Sequence, residues 1–302
     1  MIEVLIHLML LLIVPPFLLG VINKAKALAA GRVGAPWLQS YYDLFKLLRK
    51  GMVLSTTTTW VFVAGPVITL TTVLLAGLLI PFGPFNAPIA FTGDLILFAY
   101  LFGLARFFTT AAALDTGSAF EGMGAAREVT FACLSEPALF FALLVLAKKS
   151  GSLTLNQMLH GPVTVFPTTP AAALVLVALG LFIVLLAETC RIPVDDPNTH
   201  LELTMIHEVM ALDHSGPLLG MILYAAALKL FVLSALLLHL IVPFQTGYAW
   251  LDWPLFVVET LGLAILIGVL ESLMARLQMK RVPYLLTGAL LLCGAGFILL
   301  VR

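Results

Sequence analysis

The sequence carries little charge for its length. Only 11% of its 302 residues are Asp, Glu, Lys or Arg, whereas 61% are hydrophobic. A soluble globular domain is about one-quarter charged and about half apolar. Because so many apolar side chains have no place in water, the composition predicts an integral membrane protein. The 16 basic and 16 acidic residues cancel, which argues against a polyanion-binding surface and against a nucleic-acid partner.

Cysteine is also scarce. Cys133, Cys190 and Cys293 are far apart and form no CxxC pair, which argues against iron–sulfur or zinc ligation and against a disulfide framework. Gly122 and Gly124 follow no strand and do not complete a nucleotide-binding turn. We therefore expect neither a metal nor a cofactor on this chain.

Long apolar runs recur along the chain. A helix needs about 20 mainly apolar residues to cross about 30 Å of hydrocarbon. The sequence predicts an all-α integral membrane protein with about eight transmembrane helices, and because no Gly/Ser linker divides the chain, a single domain over residues 1–302. The predicted spans lie near residues 2–22, 60–80, 94–113, 128–147, 170–188, 218–241, 255–275 and 283–301.

Basic residues concentrate in the connections that an eight-helix topology places on one side. The positive-inside rule makes that side cytoplasmic and both termini external. Two of these connections, residues 23–59 and 189–217, are also long, and long loops tend to carry function. The basic residues on this side are Lys24, Lys26, Arg32, Lys46, Arg49, Lys50, Arg127, Arg191, Arg276, Lys280 and Arg281.

The first of these loops contains an amphipathic pattern. Its apolar residues at helical spacing are Leu38, Tyr41, Tyr42, Phe45 and Leu48. This pattern predicts a cytoplasmic interfacial helix, which either lies on the bilayer or contributes to a docking surface. The Gly-Arg-x-Gly-x-Pro segment at 31–36 is better explained as a shaped turn that receives a partner.

The segment 187–217 concentrates six acidic residues and three histidines. A metal site is one interpretation, because His207 and Glu208 begin a zincin-like HExxH motif. Ala211 stands where that motif needs its second histidine, so the motif fails. The segment instead favours a chain of titratable groups at the membrane boundary.

Several ionisable residues fall inside the predicted spans, where a charge at the bilayer centre costs about 2.5–3.5 kcal/mol. Glu136 and Lys229 lie at similar depth and are predicted to pair. Glu259 of the seventh span is a further candidate. For Arg106, Glu188 and Glu271, the expected positions near helix ends also fit structural pairs or snorkelling side chains. Together these residues favour a proton path from the cytoplasmic loops.

Four segments resemble a known family. They are GRVGAPWLQSYYDLFKLLRK at 31–50, ALDTGSAFEGMGAAREV at 113–129, AETCRIPVDDPNTHLEL at 187–203 and ESLMARLQMKRVP at 271–283. They resemble the membrane subunit, subunit 4, of formate hydrogenlyase and other energy-converting NiFe hydrogenases. That membrane subunit is homologous to subunit 1 of respiratory complex I.

The resemblance implies a subunit of a bacterial or archaeal plasma (inner) membrane that docks a peripheral redox arm and passes protons to pumping subunits. Expected partners are hydrogenase-like large and small subunits, an iron–sulfur subunit and antiporter-like membrane subunits. Iron–sulfur clusters and a NiFe centre belong to these partners. Proton-path candidates are Glu136, Glu188, Asp195, Glu202, Glu208, Lys229 and Glu259. Docking candidates are Gly31, Arg32, Gly34, Pro36, Gln39, Asp115, Arg127 and Arg191, the last also as a pairing base.

Two alternatives remain at the level of sequence. The chain could form the quinone site of a complex I-like NADH dehydrogenase, although its first motif is shorter than in complex I members. Complex I members also carry three glutamates after their Pro-x-Asp-x-Pro element, where this chain has Asn198, His200 and Glu202. A free-standing secondary transporter is less favoured, because the inverted repeats typical of that class are not evident.

Overall fold

The computed structural model describes residues 2–160, 168–195, 205–242 and 248–301. Eight helices within these ranges are long and apolar enough to cross a membrane, which confirms the prediction of eight transmembrane helices. All regular elements in the described ranges are helical. The α-helices are α1 Ile2–Ala29, α2 Gln39–Arg49, α3 Trp60–Leu79, α4 Asp94–Asp115, α5 Ala119–Ser150, α6 Leu155–His160, α7 Thr168–Glu188, α8 Gly216–Ile241, α9 Ala249–Leu273 and α10 Val282–Val301.

Two helices extend well beyond their predicted spans. Helix α1 continues to Ala29, and α5 begins at Ala119 rather than near residue 128. The 32 residues of α5 correspond to about 48 Å of helix at 1.5 Å per residue, which exceeds about 30 Å of hydrocarbon. Hydropathy reports the lipid-facing length, whereas backbone hydrogen bonds continue the helix into polar surroundings. Arg127, expected in a loop, therefore lies within α5.

Helix α8 is the centre of the bundle. It packs against α1, α2, α3, α7 and α9. Leu230, Phe231, Val232 and Leu233, four consecutive residues that point to all sides of this helix, are all buried. A helix that is apolar and buried all round belongs inside a bundle. The surrounding helices also pack directly against one another, as α3 does with α4 and α10 with α5 and α7.

Prolines in α1 leave carbonyl groups that other elements use. Pro16 has no N–H to donate to the carbonyl of Leu12 four residues earlier, and the Tyr224 hydroxyl of α8 donates to that oxygen at 2.8 Å. The Tyr41 hydroxyl of α2 donates to the neighbouring carbonyl of Ile13. Side chains of α2 and α8 therefore satisfy backbone groups of α1 inside the bundle.

Helix α2 confirms the helix predicted within residues 31–50, and it packs against α1 and α8. No residue of α2 is fully buried. Tyr41 is half-buried against the bundle, whereas Tyr42, Phe45 and Leu48 remain exposed. Part of the apolar face therefore binds the bundle, and part remains open to other contacts.

The four basic connections meet at one end of the bundle, which we name the polar end. Asp115, at the end of α4, accepts hydrogen bonds from the N–H and the hydroxyl of Thr59 at 2.6 and 2.8 Å. The N–H of Leu277 donates to the carbonyl of Pro193 at 3.0 Å. The opposite end, which we name the aromatic end, comprises residues 80–93, 151–160 and the adjoining turns of α1, α8 and α9.

Candidate functional site

Arg106 of α4 lies at the centre of a group of charges from four helices. Arg106 lies about 18 Å along α4 from the first residue of the helix, so the prediction that it lies near a helix end is wrong. Its side chain is only 8% exposed. The guanidinium donates from Nε to Glu128 at 3.1 Å, from Nη1 to Glu136 and from Nη2 to Glu188 at 2.6 Å. One arginine thus holds two carboxylates of α5 and one of α7.

Glu188, the last residue of α7, receives the most donors. Besides Arg106, it accepts from Lys229 Nζ of α8 at 2.6 Å and from the Ser135 hydroxyl at 2.6 Å. We define the arginine cluster as Arg106, Glu128, Glu136, Glu188 and Lys229. Its contacts join α4, α5, α7 and α8 inside the bundle.

The predicted pair of Glu136 and Lys229 is wrong. Glu136 pairs with Arg106, and Lys229 pairs with Glu188. Depth along a helix says nothing about lateral position, and α5 packs against α4, α7 and α10. Both residues nevertheless belong to the same cluster, joined through Arg106 and Glu188.

The arginine cluster has more carboxylates than cations. Three glutamates face one arginine and one lysine, which gives the ionised cluster a formal charge of −1. An uncompensated charge in apolar surroundings is costly, so such a group takes up a proton or finds a partner. The side chains of Glu188, Glu128 and Glu136 are 6%, 18% and 46% exposed, so Glu136 is the outermost acid.

A cavity adjoins the cluster between α3, α4, α8 and residues 189–190 and 207–214. Its interior offers about 60 Å³ to the centres of water-sized molecules, and one water needs about 10–15 Å³ of such space. The cavity can therefore hold several waters beside the carboxylates. Polar residues on its wall are Thr69, Arg106, Thr109, Glu128, Glu188, Thr189, Cys190, His207, His214 and Lys229.

His207 and Cys190 belong to the connection between α7 and α8, which we name the polar loop, and both line this cavity. Burial lowers the pKa of His207 below its ordinary value of 6.5, while the nearby Glu128 carboxylate acts in the opposite direction. Burial raises the pKa of the Cys190 thiol. At neutral pH, both side chains are therefore neutral, and His207 offers a proton-exchanging nitrogen without adding charge.

Asp195 lies in a separate ion pair. It is buried, and its carboxylate accepts from Arg276 at 2.8 Å and from the N–H of Ile206 at 2.9 Å. It also accepts from the N–H of His207 at 3.4 Å. These contacts give Asp195 a structural role, because they position Ile206 and His207 where the chain reaches the cavity.

Glu271 joins three elements at the polar end. It forms an ion pair with Lys26 of α1 at 2.9 Å and accepts a hydrogen bond from Arg191 at 3.4 Å, and its own side chain is fully buried. Arg191, a docking candidate from the sequence, is itself buried. Its guanidinium therefore acts inside the chain, which fits the pairing role that the resemblance also implied.

The remaining proton-path candidates are not joined to the cluster by an ion pair in the described structure. Glu208 begins a short 3₁₀ turn, Glu208–Ala211, and is half-buried. Glu259 is half-buried within α9, where it forms no ion pair with a described residue. Glu202 lies outside the described residues.

The docking candidates divide into exposed and internally bonded residues. Gly31, Arg32, Gly34 and Pro36 are exposed in the turn between α1 and α2. Both glycines adopt positive φ, 68° and 67°, a conformation that disfavours other residues. The bonded candidates have their contacts inside the chain: Gln39 with Asp43 at 2.9 Å, Asp115 with Thr59, and Arg127 with the carbonyl of Met205 at 2.8 Å.

The central role of Arg106, and the participation of Glu128, Ser135 and His207, did not emerge from the sequence. The one indication was Arg106 itself, a permanently charged side chain within an apolar run. Such a residue must have partners inside the bundle. The sequence does not reveal which distant carboxylates those partners are.

Comparison of the sequence with those of known proteins identifies a family. The sequence profile of the NADH dehydrogenase family matches residues 2–302. Formate hydrogenlyase subunit 4 of Escherichia coli is 30% identical over 285 residues, covering 92% of each chain. Hydrogenase-4 component C of the same organism is 33% identical over 237 residues, covering 78% of this chain and 73% of the relative.

A more distant relative and one solved structure also match the chain. The H-type subunit of the NADH-quinone oxidoreductase of Polaromonas naphthalenivorans is 27% identical over 247 residues, covering 75% of this chain and 68% of the relative. A chain in the solved structure of the membrane-bound sulfane sulfur reductase, an archaeal respiratory membrane complex, has a similar fold. It shows a TM-score of 0.84 at 20% identity, covering 99% of this chain and 98% of the other. The chain belongs to the NADH dehydrogenase family of membrane subunits, the family of complex I subunit 1.

Proposed function

We propose that this chain is the membrane-anchoring and coupling subunit of an energy-converting hydrogenase or formate hydrogenlyase-type complex. It docks a peripheral redox arm at its polar end and relays protons toward ion-pumping subunits. The observation that carries the proposal is the arginine cluster, in which three carboxylates share two cations beside a cavity that can hold water.

The relay follows from the charge of the cluster. A proton on one carboxylate neutralises the formal charge of −1, and its departure restores that charge. Burial raises the pKa of a carboxylate and neighbouring cations lower it, so small shifts of Arg106 or Lys229 change which acid holds the proton. A redox event near the polar loops would bias this equilibrium through His207 and the waters that the cavity can hold.

The docking role follows from the polar end. The exposed turn 31–36 leads into α2, and after α2 the N–H of Val53 donates to the Ser215 hydroxyl at 3.0 Å. His207 and His214, shortly before Ser215 in the chain, line the cavity. A soluble partner seated there contacts the loops that carry Glu188 and His207. In this proposal the partners are hydrogenase-like large and small subunits with an iron–sulfur subunit, and they hold the NiFe centre and iron–sulfur clusters.

The hydrogenase branch is favoured over a quinone-reducing one. The match to formate hydrogenlyase subunit 4 covers 92% of both chains, whereas the match to the NADH-quinone oxidoreductase chain from Polaromonas covers 68% of that relative. We accordingly place the chain in a bacterial or archaeal plasma membrane, with the polar end cytoplasmic and both termini external.

The test uses the complex purified through a tag on this chain and reconstituted into vesicles. Glu188→Gln and Glu136→Gln remove the exchangeable proton while they retain size and hydrogen bonding, and Glu202→Gln tests the candidate outside the described residues. Redox turnover and ion uptake are measured together. We expect assembly and turnover to persist while ion uptake falls at least tenfold for the first two variants.

Glu3→Gln, at an exposed position in the first turn of α1, is the matched control and should leave ion uptake unchanged. Unchanged uptake in both cluster variants would refute the relay. Inhibition of turnover by quinone-site inhibitors would favour the quinone alternative, and ion uptake by the chain without partners would favour a transporter.

A further inference from the structure

The outward face of α5 carries a carboxylate among apolar residues. Val129, Cys133, Phe140 and Leu144 recur at helical spacing and are exposed. Glu136 lies between them with 46% of its side chain exposed. Residues three and four apart share one face of a helix, so this face is one continuous surface with a single acidic group in its middle.

The same face contains a groove. Its walls are Cys133, Glu136, Pro137, Phe140, Phe141 and Leu144, and its volume is about 470 Å³. Phe141 also contacts Phe297 of α10, with ring centroids 6.1 Å apart, so α10 supports one side. Because α5 is a membrane-spanning helix, the groove opens laterally toward lipid or a neighbouring membrane protein.

Lipid chains would leave this groove energetically unsatisfied. The cluster behind it has one carboxylate more than it has cations, and Glu136 is the member that reaches the surface. Acyl chains supply neither a hydrogen-bond donor nor a positive charge, and ionisable groups inside membranes usually find a partner. Among the described residues no further cation pairs with the cluster, so we expect the missing positive charge to come from a proton or from another subunit.

We propose that the groove seats a transmembrane helix of a different membrane subunit, which places a Lys, Arg or His side chain against Glu136. A proton on Glu136 and the partner's cation then compete for the same carboxylate. Each protonation of Glu136 weakens its hold on the partner's cation, so the proton's arrival becomes a charge movement in the next subunit.

A second copy of this chain is the less suitable occupant. A symmetric contact brings the same surface of each copy together, which would place two Glu136 carboxylates in one apolar interface and double the excess charge. A different subunit can supply the opposite charge. The relatives are themselves named as a subunit or a component of a larger assembly.

The inference rests on the proposed function only in assuming a neighbouring membrane subunit. It is tested by photo-crosslinking in the assembled complex, which does not depend on ion movement. A benzoyl-phenylalanine is placed at Phe140 or at Leu144, and the adducts are mapped by mass spectrometry. The comparison position is Val258, which is exposed on α9, a helix that packs against α1 and α8.

We expect both groove positions to capture the same membrane-spanning segment of a different subunit, with a Lys, Arg or His within one turn of the captured residue. Val258 should not capture that segment. Adducts to lipid alone, to a second copy of this chain, or to a segment without a basic residue would overturn the proposal.

Charge reversal supplies an independent measurement. Glu136→Lys should reduce recovery of the captured subunit at least tenfold, whereas Glu136→Gln, which keeps a hydrogen-bond acceptor, should retain most of it. Replacing the partner's basic residue with Glu should restore recovery to the Glu136→Lys variant. Unchanged recovery with Glu136→Lys would contradict the proposal, while failure of ion uptake alone would concern the relay and not this contact.

Discussion

The two ends of the bundle are held together by different kinds of bonds. In the polar half of the bundle, charged side chains of different elements pair with one another, as Arg106 does with Glu188 and Lys26 with Glu271, in addition to backbone bonds such as that of Asp115. At the aromatic end, the described side chains bond to the backbone. Asp94 accepts from the N–H of Leu155 at 2.7 Å, and a nitrogen of His160 lies 3.0 Å from the carbonyl of Gly83.

Ring stacking completes the aromatic end. His7 lies against Phe82 with ring centroids 4.1 Å apart, and its Nε2 is 3.0 Å from the carbonyl of Gly77. Backbone partners cannot exchange places, whereas a carboxylate between two cations can change its bonds when a proton arrives. The aromatic end is therefore suited to holding its helices in fixed positions, and the polar half is suited to exchanging the partners of its charged side chains.

The largest expected effect is that of Arg106→Met in the polar half of the bundle. It leaves three carboxylates with Lys229 as their only cation within the cluster. Breaking a buried pair on one side costs about 3–5 kcal/mol, so we expect a free energy of unfolding lower by about that amount, measured by denaturation in nanodiscs. Arg32→Met, the same change at an exposed turn, should stay within about 0.5 kcal/mol. Equal effects would contradict the central role of Arg106.

Glu271→Gln tests the second polar contact. The neutral amide leaves Lys26 and Arg191 without their shared negative charge, and a hydrogen bond to a charged group contributes about 1.5–3 kcal/mol. We expect a loss of that size in the free energy of unfolding, measured in the same way. Lys280→Gln, at the same end but outside this contact, is the control, and a loss as large there would show that the effect is not specific to the pair.

Asp94→Ala tests the hydrogen bonding at the aromatic end. It removes the acceptor of the Leu155 N–H, and a typical hydrogen bond contributes about 1 kcal/mol. We expect stability to fall by about that amount while ion uptake by the reconstituted complex is unchanged. Asp94→Asn keeps an acceptor oxygen and should lose less. A tenfold loss of ion uptake in Asp94→Ala would break the division between the two ends.

The smallest effect concerns pH. Burial lowers the pKa of His214, which stacks on Phe62, below its unfolded value of 6.5. Below about pH 6.5 the unfolded chain therefore binds a proton that the folded chain excludes, and stability falls as pH falls toward the lowered pKa. The melting temperature should drop less steeply between pH 7.5 and 5.5 in His214→Gln than in the unchanged protein. Parallel curves would count against this assignment.

Much of the fold could be predicted from the sequence, because crossing a bilayer is a local requirement. Eight apolar runs of sufficient length predicted eight helices. Because successive helices cross the membrane in opposite directions, every second connection lies on the same side, and this placed the basic loops together. The ends were less accurate, as in α5, which begins at Ala119 because backbone hydrogen bonding does not stop where hydrophobicity does.

The site was predicted only in part, because its bonds join residues far apart in the chain. Glu136, Glu188 and Lys229 were identified as costly charges, but Arg106 pairs with Glu188 across 82 positions. No spacing rule contains that contact, since it depends on how α4 and α7 lie against each other. Charge in an apolar run reveals that partners exist, whereas packing determines which they are.

Glu188 is the final residue of α7, and the polar loop starts at the next peptide bond. A helix terminus and a charge centre thus coincide in one amino acid. In the function that we propose, a displacement of that loop by a docked protein reaches the Glu188 carboxylate without passing through a turn of helix. The docking contact and the charge that it acts on are then adjacent along the backbone.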